Sequence, residues 1–76
     1  MSSIVQSILF DKDKYSIKEA EKWLKENNFL ILKVDITPNL YRFRQISPKK
    51  VSKDNYKNYA IKQIQEGIKL VIAYKN

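Results

Sequence analysis

The apolar positions along this chain switch between strand spacing and helical spacing, and the switches mark its elements. Residues 4–10, IVQSILF, are rich in β-branched and aromatic types and stop at Asp11-Lys12-Asp13-Lys14, which predicts a strand and the break after it. Ser16-Ile17-Lys18-Glu19 then forms a Ser-x-x-Glu capping box, in which the Ser16 hydroxyl accepts from an early helix amide and Glu19 reaches back to the Ser16 amide. A helix starts there. Its apolar residues Ile17, Ala20, Trp23 and Leu24 share one face, Lys18, Glu21, Lys22, Lys25 and Glu26 take the other, and Asn27-Asn28 ends it.

Strict alternation returns at residues 30–36, LILKVDI, with Leu32, Val34 and Ile36 expected inward and Lys33 and Asp35 outward. Thr37-Pro38-Asn39 places Pro and Asn at the two central positions of a tight turn, so the next run, LYRFRQI, folds back as a hairpin arm. On that arm Tyr41, Phe43 and Gln45 share one face, and Leu40, Arg42, Arg44 and Ile46 the other. Burying two unpaired arginines is far more costly than exposing two aliphatics, so the rings are expected to meet the helix and the arginines to face water. Gln45 falls on the ring-bearing side, which places it at the sheet margin or in a bond to a neighbouring backbone group.

Residues 47–58 are polar, basic and irregular and read as the main loop, with one helical turn near residues 52–56. The run 59–65, YAIKQIQ, is ambiguous: Ile61 and Ile64 suit a helix, while their β-rich neighbours favour a short extended piece. Gly67, the sole glycine, marks a turn into IKLVIAY, a strand hydrophobic enough to be central. The expected fold is α+β: a single helix packed on an antiparallel sheet of about four strands, in the order β-α-β-β-(loop)-β. The 76 residues make one domain, residues 1–76, and a chain of this length buries only about 60% of the surface it exposes unfolded.

Charge changes the picture. Residues 1–40 hold six Lys and six acids, whereas residues 41–76 hold two Arg and seven Lys against Asp54 and Glu66 alone, so the later part carries the entire +7. Such asymmetry points to nucleic acid or to an acidic partner surface. The absence of Cys excludes disulfides and thiolate metal sites and suits a reducing compartment, the cytoplasm. The first residues lack a basic region and their apolar run ends at Phe10, too short for a signal peptide or a membrane span.

Four segments, VQSILFDKDKYSIKEAEKWLKENNF, KVD, YRFRQISP and GIKLVIAY, make the chain resemble a small domain of tailed-phage and large DNA virus proteins. That resemblance implies a fold without an assigned activity, a host cytoplasm for a viral product, and nucleic acid or a capsid component as partner. Similar sequences carry a second basic element, Phe/Tyr-Arg-Thr-Lys, where this one reads Tyr59-Ala60-Ile61-Lys62, so one arginine is missing.

Catalytic chemistry is poorly supplied. Without His or Cys the commonest general base, the thiol nucleophile and the usual zinc ligands are absent. Asp11 and Asp13 lack the further oxygen ligands, the Gly and the terminal Glu of a calcium loop, and one glycine cannot build a phosphate loop. The expectation is a non-enzyme with no metal or cofactor.

The Tyr41-Arg42-Phe43-Arg44 ladder is the strongest functional signal. Alternate strand residues project about 7 Å apart, close to the phosphate spacing of a nucleic-acid strand. Lys33 on the adjacent arm and Lys49, Lys50, Lys53, Lys57 and Lys62 further along complete a basic footprint around Arg42 and Arg44, with Tyr56 and Tyr59 as candidates for stacking on bases. Five phosphate contacts would give log affinity a slope of about −4.5 against log salt. These residues predict largely sequence-blind binding of DNA or RNA. The alternative is a protein-interaction module, a virion component or host-factor inhibitor, using the sheet face that one helix leaves uncovered to join an acidic protein or a second copy of the chain.

Overall fold

The expected α+β architecture is present with one strand more than the pattern predicts. The computed structural model describes residues 2–46 and 56–75. Its elements run β1 (Ser2–Asp11), α1 (Ile17–Glu26), β2 (Val34–Ile36), β3 (Leu40–Arg44), β4 (Tyr56–Gln65) and β5 (Ile68–Lys75). The five strands form one antiparallel sheet in the order β2-β3-β1-β5-β4, so β1 and β5 lie in the interior and β2 and β4 at the edges.

Local chemistry explains the boundaries. Both arms of the capping box are made: the Glu19 amide donates to Ser16 Oγ at 3.2 Å, and the Ser16 amide donates to Glu19 Oε1 at 3.0 Å. Asn28, with φ of 62°, takes the left-handed exit. The Thr37 amide donates to the Leu40 carbonyl at 3.0 Å, closing the hairpin between β2 and β3. Gly67, with φ of 82°, turns β4 into β5.

One face of the sheet carries the core. Ile8, Phe10, Phe43 and Ile68 from the strands meet Ala20 and Leu24 from α1, all fully buried. Phe10 is the centre, with edge-to-face contacts to Tyr15, Trp23 and Phe43 at 5.5, 5.7 and 5.6 Å between centroids. A buried side chain of this size contributes about 1.5–3 kcal/mol, so these few rings anchor the helix to the sheet. Tyr41 and Trp23 pack against this cluster, as the sequence leads one to expect.

Two expectations need correction. The segment 59–65 belongs to a ten-residue strand that begins at Tyr56, inside the predicted loop and at the end of the predicted helical turn. The helix-like spacing of Ile61 and Ile64 is absorbed by a register shift between Gln63 and Gln65. At the other edge, the predicted strand 30–36 contracts to Val34–Ile36, and Leu32 and Ile36, expected inward, are 60% and 62% exposed. At Leu30 a side chain stands in for a strand partner: its amide donates to Gln45 Oε1 and its carbonyl accepts from Gln45 Nε2, each at 2.8 Å.

Candidate binding face

The sheet face away from α1 is where the sequence-predicted ladder lies. Register pairs Leu9 with Arg42, Ser7 with Arg44 and Ile61 with Val71, and paired residues share a face, so these side chains stand together opposite the core. A further polar residue joins them through an irregularity in β1. The pairing of β1 with β5 shifts between Val5 and Ser7, leaving Gln6 as an extra residue, and Gln6 and Ser7 then meet on the open face. Both are buried.

The arginines face away from the helix, as expected, but they do not stand free in water. Arg42 Nη2 donates to Gln6 Oε1 at 3.0 Å and Arg42 Nε donates to Ser7 Oγ at 3.1 Å. Arg44 Nε lies 2.9 Å from Asp35 Oδ2, close enough for an ion pair although not aligned as a hydrogen bond. Asp35 sits on the neighbouring strand opposite Arg42, yet its carboxylate serves Arg44. Arg44 is therefore neutralised locally. Arg42, half-buried and held by two neutral groups, has no carboxylate partner among the described residues.

Around Arg42 the face is concave and apolar. Leu9, Leu40, Ile61, Val71, Tyr59 and Thr37 line a groove of about 460 Å³ together with Gln6 and Arg42. A volume in this range with an apolar lining and one positioned charge has the make-up of a binding site.

The remaining predicted residues are only partly brought together. Lys33 is exposed and adjoins Arg44, whose amide donates to its carbonyl at 3.3 Å. Tyr59 lines the groove, but Lys62, paired with Leu70, lies on the opposite face of β4. Tyr56 and Lys57 open β4 where its register with β5 shifts. Lys49, Lys50 and Lys53 lie outside the described residues. Of the two ladder arginines, Arg44 is thus ion-paired and Arg42 stands at the wall of an apolar groove.

Gln6 and Leu9, which line the groove, and Ser7, which accepts from Arg42, are residues that sequence reasoning missed. The available signal is Gln6-Ser7 itself, two consecutive polar residues inside an apolar strand, which alternation cannot accommodate without a bulge.

Lys14, Glu66, Glu19 and Lys12 make contacts elsewhere on the fold. Lys14 Nζ meets Glu66 Oε1 at 2.8 Å, joining the turn after β1 to the turn after β4; the contact raises the Lys14 pKa and lowers that of Glu66. Hydrogen bonds from Ser16 hold the Glu19 carboxylate below the usual range. Lys12 Nζ lies 5.3 Å above the Tyr41 ring centroid. Among the described residues no group of three or more acids is placed to hold a metal, and no helix is long and apolar enough to cross a membrane. No family model, curated protein or solved structure matches the chain.

Proposed function

We propose that the chain is a non-enzymatic binding module whose uncovered sheet face takes an acidic protein surface. The observation that carries this reading is Arg42, a guanidinium with no carboxylate partner among the described residues, oriented by Gln6 and Ser7 at the wall of an apolar groove. A positioned charge beside apolar walls suits a carboxylate flanked by hydrophobic side chains, because both halves of such a segment find a match there. A nucleic-acid backbone would find Arg44 already engaged by Asp35, which weakens the paired-arginine ladder it would track. In the viral setting to which the sequence resemblance points, this class includes virion assembly components and ligands of host factors.

The test is fluorescence anisotropy with two labelled probes across a salt series, an alternating Leu/Asp peptide and an oligonucleotide, single- and double-stranded. The peptide should bind and persist from low to moderate salt, and Arg42→Gln should weaken it about tenfold, the loss of one charge-assisted contact. The oligonucleotide should bind weakly, and Asp35→Ala should strengthen it by releasing Arg44. Tighter binding of oligonucleotide than of peptide, abolished by Arg42→Gln, would replace this reading with nucleic-acid recognition.

A further inference from the structure

The two edges of the sheet are built differently. β2 is three residues long, and an edge that short offers little to a passing strand. β4 is ten residues long, and among the described residues it pairs with β5 alone. Its register shifts lie near the two ends, leaving residues 58–63 as a regular run whose outer edge no other described strand pairs. Every one of those side chains is exposed, Tyr59 and Ile61 by 56% and 65%. In an antiparallel pair alternate residues turn their amide and carbonyl away from the partner, so this outer edge presents a row of donors and acceptors that no described strand uses.

We infer that β4 is a strand-addition site, and that the acidic partner docks as an extended segment paired along its outer edge, with alternate side chains reaching the groove. The inference rests on the reading of the open face given above and specifies how the partner is held. Tyr59 and Ile61 connect the edge to the groove, since both belong to the strand and line the cavity. A strand laid beside them therefore turns one set of alternate residues toward an apolar wall. The other set falls on the side of Lys62. Charge selects the occupant: β4 contains Lys57 and Lys62 and no acid, in a chain of net charge +7. A segment alternating apolar and acidic residues complements both sides. A second copy of β4 would bring two acid-free basic strands together, which like-charge repulsion disfavours.

The experiment compares the alternating Leu/Asp peptide with two derivatives, N-methylated at its odd or at its even residues. It adds hydrogen exchange of the protein amides with and without the unmodified peptide. Strand addition predicts that one derivative loses about tenfold or more in affinity while the other is spared, because only one set of peptide amides faces β4. Amides of residues 58–63 should gain protection, and Lys62→Glu should weaken the peptide without lowering the melting temperature. Equal binding of both derivatives with no new protection in β4, while Arg42→Gln still weakens binding, would overturn strand addition and leave the groove reading intact. Failure of the unmodified peptide to bind would overturn the groove reading and this inference with it. Concentration-dependent protection of β4 without peptide would assign the edge to self-association instead.

Discussion

Arg42 Nη2 lies 3.0 Å from Gln6 Oε1, and that same oxygen accepts from the Ser7 hydroxyl, which in turn receives Arg42 Nε at 3.1 Å. Three side chains from two strands thus close a small ring, two of them buried, and the guanidinium is fixed without losing its charge. Such an arrangement links the bulge in β1 to the open face of the sheet. Without the bulge, strict alternation counted back from Ile8 would send Gln6 to the core side.

Gln6→Met keeps the volume and removes the acceptor. It should lower stability by about 1–3 kcal/mol, the cost of withdrawing a buried partner from a charged donor. Urea denaturation would report the loss, and the double variant with Arg42→Met should be less destabilised than the two single changes combined, because they break one shared contact. Fully additive losses would show that the ring is not a unit.

How much of this was legible depends on the distance over which each feature is specified. The capping box, the Asn28 exit, the Thr37-Pro38-Asn39 turn and Gly67 are local, and each lies where its residue types place it. The rings of Tyr41 and Phe43 turn toward the helix and the arginines away from it, as the burial cost of charge requires. The fate of those arginines was not legible, because Asp35 lies on another strand and Gln6 reaches Arg42 only through a bulge. The extent of β4 was hidden for a similar reason: polar Asn58, Lys62 and Gln63 in an edge strand carry no inward alternation, and β5 alone supplies their pairing. Gln45 bonded to Leu30 is an intermediate case, foreseen as a choice between two roles and resolved by a partner 15 residues away.

The capping box gives the fold an acid-sensitive end. Glu19 ionises below its ordinary value of 4.5 because the Ser16 amide and hydroxyl favour the carboxylate. A depressed carboxylate stabilises the native state above the unfolded value, and that contribution disappears as pH falls through the native one. Glu66, lowered by Lys14, acts in the same direction and window. Melting temperature should therefore stay level from neutral pH down to the ordinary Glu range and decline below it. Glu19→Gln should make that decline shallower and Glu66→Gln should do so independently, since the two sites share no partner. Both carboxylates are exposed, so added salt should reduce the Glu66 component. A decline unchanged in both variants would place its origin in other carboxylates.

Gly67 joins the edge strand to the rest of the sheet, and its φ of 82° lies where a side chain is strained. The surroundings are also closed: a Cβ there would stand 2.9 Å from Lys14 Cδ and from Tyr15 Cε2, and 3.2 Å from Lys14 Cβ. Its carbonyl accepts from the Asp11 amide at 2.9 Å, so a shift of the turn to relieve the contact would loosen the link to β1. Gly67→Ala should destabilise by about 1–3 kcal/mol through strain and crowding together. Gly67→Asn tolerates the positive φ but not the closed space, so it should recover only part of that loss. Hydrogen exchange separates this from a uniform loss of stability: amides of β4 nearest Gln65 should open first, while those of β1 at Ile8 and Phe10 follow the global transition. Equal loosening of β1 and β4 would mean that the turn supports the whole sheet rather than the edge strand.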